Sequence, residues 1–293
     1  MITPPAQSHY HRLRPRLFGI AYRILGSVAE AEDVLQEVWI RWQDYPHERV
    51  ENVDAFLATT TTRLALNVAE SARKRRETYP GQWLPDPVDT SSDPALGAER
   101  AEALETAVLL LLERLTPTER AAYVLREAFD YPYEQIGAMV QQSAAGARQL
   151  VSRARKHLAG NLRSRVDATE QQRLLDAFLT AARGGDLAAL EDLLAEQAVS
   201  YSDGGGRVRA AKLPILGGDK IARVIRAFSP RFWEGAVVTP RQVNGAAAAM
   251  LSHDGVPYAL ITVSAGPDGI DRVLWHLNPD KLSQLQAVPD LAG

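Results

Sequence analysis

Residues 132–158, with the sequence PYEQIGAMVQQSAAGARQLVSRARKHL, read as two helices joined by a short turn. Pro132 suits the first position of a helix, where its missing N–H would have no partner, and the apolar residues after it fall on one helix face. Residues 141–143 form the turn, and the Ser143 hydroxyl can cap the second helix by accepting a bond from one of its free N–H groups. The apolar residues of the second helix recur at helical spacing, which leaves another face to polar and basic side chains. The pattern predicts a helix-turn-helix.

The second of these helices has a basic outer face. No Asp or Glu occurs between Met139 and Val166, so DNA phosphates would meet no like charge there. The second helix of a helix-turn-helix lies in the major groove, where its side chains reach base edges. The plainer alternative is a helical hairpin whose charges are only solvated. The residues expected to contact DNA are Arg148, Gln149, Ser152, Arg155 and Lys156.

Composition limits the class of protein. The chain has 293 residues, a net charge of −3 and no cysteine. Its length favours two or three domains, and its charge requires DNA contacts to come from local basic clusters. The lack of cysteine excludes disulfides, cysteine nucleophiles and thiolate metal sites. No signal-peptide pattern and no apolar run of membrane-spanning length occur, so we expect a cytoplasmic protein with no membrane contact.

Changes in composition divide the chain into four parts. Residues 1–78 carry apolar residues every three or four positions, which predicts a helical domain. Residues 79–97 are rich in Pro, Gly, Asp and Ser and form a linker. Residues 98–166 form a second helical domain that ends in the helix-turn-helix. Residues 167–293 combine helices with strands broken by turn signals, which predicts an α+β domain with a curved antiparallel sheet.

Short local signals mark where elements begin and turn. Ser27 with Glu30, and Thr116 with Glu119, have the spacing of a capping box and predict two helix starts. Three dipeptides typical of hairpin turns lie in the α+β part, at residues 244–245 (Asn-Gly), 254–255 (Asp-Gly) and 268–269 (Asp-Gly).

The linker carries an apolar pair, Trp83 and Leu84, within the run YPGQWLPDP at residues 79–87. A solvated linker seldom needs such a pair. The pair is therefore predicted to dock on a domain or partner surface, and a local hydrophobic plug is the alternative.

Together these features resemble the extracytoplasmic-function (ECF) sigma factors of the sigma-70 family. Residues 14–26 and 31–39 resemble the sigma-2 signature, and residues 115–120 with the helix-turn-helix resemble the sigma-4 domain. The linker run, the DGGG turn at 203–206 and the NPDKL run at 278–282 resemble the SigJ type. In that type a SnoaL-like domain of the NTF2 superfamily, a cone with an apolar pocket, follows sigma-4.

The resemblance implies an alternative sigma factor that recruits RNA polymerase core to −35/−10 promoters and initiates transcription. The basic helix would then read the −35 element, and polymerase would be contacted at its β′ clamp helices and β flap. Implied in β′ binding are Asp33, Gln36, Glu37 and Trp39. Implied in handling the −10 element are Arg63, Asn67, Arg73, Lys74, Arg75 and Arg76. The alternative role of the 73–76 cluster is to complement the helix dipole at the C-terminal end of its helix.

The SigJ-type pattern also implies control in cis by the C-terminal domain. Our hypothesis is that this domain packs on sigma-2, sigma-4 and the linker, holding the two DNA-binding domains in a compact arrangement. The residues expected at these contacts are Trp83, Leu84, Pro85, Asp203, Gly204, Gly205, Gly206, Asn278, Pro279, Asp280, Lys281 and Leu282.

Catalysis by the C-terminal domain is not expected. Its candidate polar residues are Tyr201, Asp203, His253, Asp254, Tyr258 and His276, and no spacing marks a catalytic pair. A lone strand histidine such as His276 is more typical of structure, and Asp203 before three glycines is typical of a turn. We therefore expect no enzyme activity, no cofactor and no metal; a small ligand in the cone stays open.

Two alternatives to a sigma factor remain at this stage. One is a one-component regulator that senses a ligand and binds duplex DNA without polymerase. The other is a SnoaL-like enzyme tethered to DNA. For a sigma factor, a monomer is the expected free state.

Overall fold

The computed structural model describes residues 4–90, 105–159 and 166–285. The described residues form two compact units. The first contains the chain up to Glu77 and from Val108 to Ala159. The second contains residues 78–90, 105–107 and 166–285, so the described part of the linker, residues 79–90, belongs with the C-terminal domain.

The N-terminal elements are helical. They are α1 (Pro4–Leu25), α2 (Val28–Asp44), a 3-10 turn (His47–Arg49), α3 (Val53–Glu77), α4 (Thr106–Leu112), α5 (Pro117–Glu127), α6 (Tyr133–Met139) and α7 (Ala144–Ala159). Each longer helix buries the apolar stripe that its sequence period predicts. In α2 the buried residues are Ala31, Val34, Leu35, Val38 and Trp42.

One of the two predicted capping boxes is confirmed and the other is wrong. At the start of α5, Thr116 Oγ1 accepts from Glu119 N at 3.3 Å and Glu119 Oε2 accepts from Thr116 N at 3.2 Å. Ser27 precedes α2, but its side chain makes no cap bond. The other member of the predicted box, the Glu30 carboxylate, pairs instead with the guanidinium groups of Arg75 and Arg76 from the last turn of α3. Two cations are stronger partners for a carboxylate than one backbone N–H.

The helix-turn-helix is formed by α6 and α7. The sequence predicts Pro132 as the first residue of α6, but helical geometry begins only at Tyr133, so Pro132 is the N-cap. Ser143 Oγ accepts from Gly146 N at 3.0 Å, which confirms the predicted cap of α7. A Cβ at Gly137 would lie 2.7 Å from the carbonyl oxygen of Gln142, so a glycine lets the turn fold back closely.

In the described residues, the C-terminal domain packs three helices on one face of a six-stranded sheet and a fourth helix on the other. Its elements are α8 (Ala168–Gly184), α9 (Leu187–Leu193), β1 (Leu194–Asp203), β2 (Ile215–Leu216), α10 (Gly218–Phe232), β3 (Val237–Val243), β4 (Ala246–His253), β5 (Val256–Gly266), β6 (Gly269–His276) and α11 (Pro279–Gln284). The strand order is β2-β1-β6-β5-β4-β3.

The sheet is mixed, which corrects the expectation of a purely antiparallel one. Strands β3 to β6 are antiparallel, joined by the three predicted hairpin turns. Strand β1 runs parallel to β6. No hairpin joins these two strands, so no turn signal in the sequence specifies their relative direction.

The sheet is covered on both faces. One face, with α8, α9 and α10, forms the main core, to which β4 contributes Ala247, Ala249 and Leu251. The intervening β4 residues Ala248 and Met250 belong to a smaller cluster that includes Leu282 of α11. This alternation follows from the period of two along a strand.

Candidate functional site

The candidate recognition helix α7 divides into a buried and an exposed face. Its buried residues are Ala147, Leu150, Val151, Ala154 and Leu158. All five residues expected to contact DNA are exposed. They are Arg148, Gln149, Ser152, Arg155 and Lys156. Their role as DNA contacts stays a prediction, but none is buried in the first unit.

Some of these side chains already have partners. The Arg148 guanidinium lies 4.9 Å from the centre of the Tyr133 ring. Arg155 pairs with Glu127 at 2.7 Å, and the hydrogen bond to that carboxylate raises the pKa of Arg155. Exposed pairs of this kind contribute little stability, so DNA phosphates can replace them.

The structure separates the members of the basic cluster at the end of α3. Arg73 and Lys74 are exposed and make no ion pair with any described residue. Arg75 is exposed and pairs with Glu30. Arg76 is mostly buried and bonds to Glu113 and to the carbonyl oxygen of Leu25. Arg76 therefore acts inside the unit, whereas Arg73 and Lys74 are available to DNA.

The other two −10 candidates lie earlier on α3. Arg63 and Asn67 are both exposed. The Arg63 guanidinium donates to the carbonyl oxygen of Ala138 in α6 at 2.8 Å. A side chain expected at the −10 element thus contacts the helix-turn-helix.

The four candidate polymerase-binding residues all lie on α2 but differ in exposure. Asp33 and Gln36 are exposed, whereas Glu37 pairs with Arg41 at 2.7 Å. Trp39 is half-buried, with its ring centre 4.7 Å from that of Tyr10. The sequence reasoning missed Ile40, which is 49% exposed on the same helix. An aliphatic residue next to charged ones in an otherwise regular amphipathic helix was the available signal.

Helices α1 and α3 pack directly on the helix-turn-helix domain within the first unit. Arg120 of α5 is buried and donates to the carbonyl oxygen of Ile24 at 2.9 Å. It also pairs with Glu113, the carboxylate that Arg76 contacts. Burial lowers the pKa of Arg120, and the charge on Glu113 opposes this effect. The sequence did not reveal this contact, because Arg120 lies 96 residues from its carbonyl partner.

In the second unit the linker is bound to the C-terminal domain around Lys281. The Lys281 ammonium lies 2.9 Å from an Asp203 carboxylate oxygen and 3.2 Å from one of Asp86. It also donates to the carbonyl oxygen of Leu84, and it lies 4.6 Å from the centre of the Trp83 ring. We call Lys281, Asp203, Asp86, Trp83 and Leu84 the linker clamp. Its members come from the three runs that distinguish the SigJ-type pattern.

Asp203 of the linker clamp is fully buried. Its carboxylate accepts from Tyr79 Oη at 2.7 Å, from Leu84 N at 3.1 Å and from Gly205 N at 3.0 Å. The sequence therefore predicted correctly that Asp203 bonds to nearby backbone in a turn, but it did not predict the bonds of Asp203 to the linker. Burial raises the pKa of Tyr79, and its hydrogen bond to the Asp203 carboxylate raises it further.

The glycines after Asp203 allow two close contacts. Gly205 has φ +61°, and a Cβ there would lie 2.4 Å from Asn278 Nδ2; Gly206 has φ +71°, and a Cβ there would lie 2.7 Å from Pro80. Asn278 Nδ2 donates to Tyr79 Oη at 3.1 Å. Asp280, predicted at the same contacts, instead pairs on the surface with Arg207 at 3.4 Å.

A second attachment, missed from the sequence, holds the linker at residues 88–90. The Asn244 side chain accepts from Val88 N at 3.0 Å, and Asn244 N donates to the carbonyl oxygen of Val88 at 2.8 Å. Thr90 N donates to the carbonyl oxygen of Gln242 at 3.0 Å. The sequence marked Asn244 only as a hairpin residue, yet it is also the linker's partner.

His276 faces the linker side of the sheet rather than the cone. It is fully buried, and neither ring nitrogen has a hydrogen-bond partner among the described residues. Burial, then the charge of Lys281, lowers its pKa to about 3, against the opposing effect of Asp203. The ring is therefore neutral at pH 7, as suits a structural residue.

Two other candidate polar residues of the C-terminal domain, His253 and Tyr258, lie next to each other. The His253 ring stacks on the Tyr258 ring at 4.7 Å, and Tyr258 Oη donates to the carbonyl oxygen of Phe232 at 2.7 Å. In the described part of the chain no cluster of three or more His, Cys, Asp or Glu side chains is arranged to hold a metal ion. Among those same residues, no helix is both long and apolar enough to cross a membrane.

Comparison with known proteins places both helical domains. The family model described as Sigma-70 region 2 matches residues 9–77, and that described as Sigma-70, region 4 matches residues 105–158. The chain is 35% identical over 290 residues to the ECF RNA polymerase sigma factor SigJ of Mycobacterium tuberculosis, covering 94% of this chain and 93% of that protein. It is 28% identical to the probable ECF RNA polymerase sigma factor SigI of the same species, covering 97% of each.

The likeness extends from the sequence to the fold. The crystal structure of Mycobacterium tuberculosis SigJ matches with a TM-score of 0.75 at 30% identity. That match covers 94% of this chain and 98% of the solved one, including the C-terminal sheet domain.

Proposed function

The chain belongs to the extracytoplasmic-function sigma factors of RNA polymerase, and from that premise we propose that its C-terminal domain regulates it in cis through the linker clamp. As an alternative sigma factor it acts with RNA polymerase core on promoter DNA. Its place of action would be the cytoplasm, where polymerase and promoters are. The observation that carries the proposal is the Lys281 ammonium held between Asp203 and the linker residue Asp86.

The distance between the two promoter elements determines how the linker clamp would affect promoter binding. The −35 and −10 elements are about 25 base pairs apart, which is about 85 Å at 3.4 Å per base pair. In the first unit, however, Arg63 of α3 is in hydrogen-bond contact with Ala138 of α6. The two helical domains must therefore separate before they can reach both elements together.

The linker limits this separation. Its 19 residues, 79–97, can span at most about 65 Å when fully extended. While residues 79–90 are bound to the C-terminal domain, the other seven residues of the linker can add at most about 25 Å to the connection. Binding of the linker would thus disfavour the open arrangement, and release would favour it.

The contacts to polymerase and DNA complete the proposal. The outer side of α2, with Asp33, Gln36 and the exposed Ile40, would bind the β′ clamp helices, and the second helical domain would approach the β flap. Arg73, Lys74 and Asn67 would contact the −10 element, joined by Arg63 once it leaves Ala138. The exposed face of α7 would read the −35 element. This division is supported by the exposure of these side chains in the first unit.

Run-off transcription with purified core polymerase tests the proposal. The templates are promoter fragments selected from genomic DNA, and the proteins are the full chain, a chain ending at Asp167 and the Lys281→Met variant. Lys281→Met should yield more promoter-dependent transcript than the unmodified chain, because the clamp loses its cation. Lys212→Met, which removes an exposed lysine of the same domain, should leave the yield unchanged.

Other outcomes of the transcription experiment would contradict the proposal. Equal yields from Lys281→Met and the unmodified chain would refute control by the clamp. Absence of any transcript, together with tight binding of duplex promoter DNA by the protein alone, would favour a one-component regulator instead. We propose no enzyme activity, since the described residues that line the cone cavity include no Asp, Glu or His.

A further inference from the structure

A cavity of about 590 Å³ opens inside the C-terminal domain between α10 and the sheet. Its apolar wall is formed by Ile221, Ile225, Phe228, Phe232 and Trp275. The Phe228 and Phe232 rings lie edge-on to the Trp275 ring, with centres 5.6 and 5.5 Å away. The size and apolar wall are those of a small-molecule site.

The polar groups of the cavity all offer hydrogen-bond donors. Ser200 Oγ accepts from Trp275 Nε1 at 3.1 Å, and Ser202 Oγ accepts from Ala211 N at 3.1 Å. Each hydroxyl still has its own O–H to donate. Arg209 is the single ionisable residue among the described lining, and it is exposed without an ion pair. A ligand that satisfies this set must bring acceptors, and a carboxylate fits a guanidinium beside two hydroxyl groups.

The segment that borders the cavity mouth is unusually apolar for a surface. Eight large apolar side chains are exposed in the described residues, and four of them lie between positions 208 and 224. They are Val208, Leu213, Leu216 and Val224, of which Val224 lines the cavity itself. An exposed apolar group at a cavity mouth is typical of a binding site.

The cavity is connected to the linker by direct hydrogen bonds. Gln82 of the linker donates through Nε2 to the carbonyl oxygen of Ala211 at 2.8 Å and lies 3.5 Å from Ser202 Oγ. Ala211 and Ser202 both line the cavity. The loop that carries Arg209 and Ala211 into the cavity wall is therefore the same loop that holds Gln82.

We propose that this cavity binds an apolar carboxylic acid and that its occupancy strengthens the hold on the linker through Gln82. The carboxylate would lie at Arg209 and the serine hydroxyl groups, and the hydrocarbon part against the three aromatic rings. At about 30 Å³ per water-sized group, the cavity admits up to about 20 non-hydrogen atoms. The regulatory consequence rests on the proposed function, whereas the binding itself does not.

Calorimetric titration of the full chain tests the site, with 2-naphthoate as the probe and the neutral 2-naphthamide as its match. Naphthoate should bind roughly tenfold more tightly than naphthamide, since a charge-assisted contact adds to the same apolar burial. Arg209→Ala should abolish that preference and keep naphthamide binding, while Lys212→Ala, an exposed cation of the same loop, should keep both. Ala227→Trp, an exposed lining position, should block both ligands.

Several results would overturn the site. Equal affinity for the two probes would remove the carboxylate preference, and absence of binding by either would remove the cavity as a site for this class of ligand. Unchanged binding to a folded Ala227→Trp variant would place the probe elsewhere on the protein.

Hydrogen exchange of the linker tests the connection. Saturating naphthoate should slow exchange of the backbone amides between Gln82 and Asp86 by about fivefold or more, a typical size of coupling between sites. Gln82→Ala should remove this effect. Unchanged linker exchange in the naphthoate-bound chain would refute the coupling. If Lys281→Met left transcription unchanged while naphthoate kept its preference, the proposed function would fail and the binding site would stand.

Discussion

Replacing Lys281 with methionine should break the linker clamp without changing the volume of the side chain greatly. Lys281, Asp203 and Asp86 have side chains that are 9%, 0% and 6% exposed. The substitution leaves two buried carboxylates without their shared cation. Removing one partner of a buried ion pair costs about 3–5 kcal/mol. We expect the lower end, about 3 kcal/mol, because Asp203 keeps its bonds from Tyr79, Leu84 and Gly205.

The Leu84 amide gives a local readout of this change. It donates to Asp203, so it exchanges with solvent only when the linker leaves the domain. A loss of about 3 kcal/mol makes that opening about 150 times more populated, and exchange of the Leu84 amide should accelerate by a similar factor. A local measurement is preferable to a global melting curve, because a chain with two compact units need not unfold in two states.

Two further variants complete the experiment. Lys212→Met should change Leu84 exchange by no more than about twofold, since exposed substitutions stay within about 0.5 kcal/mol. Lys281→Met combined with Asp203→Asn should recover part of the loss, because only one of the two buried carboxylates, that of Asp86, then stays charged. Leu84 exchange in Lys281→Met within about threefold of the unmodified chain would refute the reasoning, since it would mean that the ammonium contributes less than about 1 kcal/mol.

Three other predictions follow from single positions. Gly205→Ala should speed hydrogen exchange of the linker amides, because a φ of +61° costs about 1–2 kcal/mol for a residue with a Cβ and because that Cβ would collide with Asn278. Linker exchange equal to that of the control Gly184→Ala, which changes an exposed glycine, would contradict this prediction. His276, with its pKa lowered to about 3, stays neutral when folded while the unfolded chain takes up a proton below about pH 6.5. The free energy of unfolding should therefore fall by up to about 1.4 kcal/mol per pH unit between about 6.5 and 3, and His276→Leu should remove that part of the slope in acid titrations. In filter binding of the holoenzyme to promoter DNA, Lys74→Ala should weaken binding uniformly across −10 sequences and lower the salt dependence of the affinity by about one phosphate contact. Arg76→Ala should instead lower the stability of the protein. Equal effects of the two variants on the salt dependence would contradict this division of roles.

The features predicted correctly from the sequence are those whose physical cause is local. The Asn244–Gly245 turn has φ values of +54° and +71° in the structure, and Asn-Gly is the pair that adopts such values most readily. The caps by Thr116 and Ser143 involve partners three residues away. The identification as an ECF sigma factor is also confirmed, because its motifs are continuous runs of sequence.

The errors concern features whose cause is distant in the chain. Ser27 has the spacing of a cap, but Glu30 is taken by Arg75, 45 residues away. The direction of β1 against β6 depends on how the helices return the chain, and no turn residue encodes it. The linker's second attachment joins Val88 to Asn244, which are 156 residues apart.

The sequence by itself determined the sigma-factor class, the helix-turn-helix with its basic face, and the three runs that form the linker clamp. Only the tertiary structure decided what each residue of those runs does. In the structure Arg76 points inward and pairs with Glu113, whereas Arg73 is exposed. Asp203, predicted only as a turn residue, is also the buried partner of Lys281. The physical reason is that helical period and turn chemistry depend on near neighbours, whereas the partner of a charge depends on which distant segment packing brings within a few ångströms.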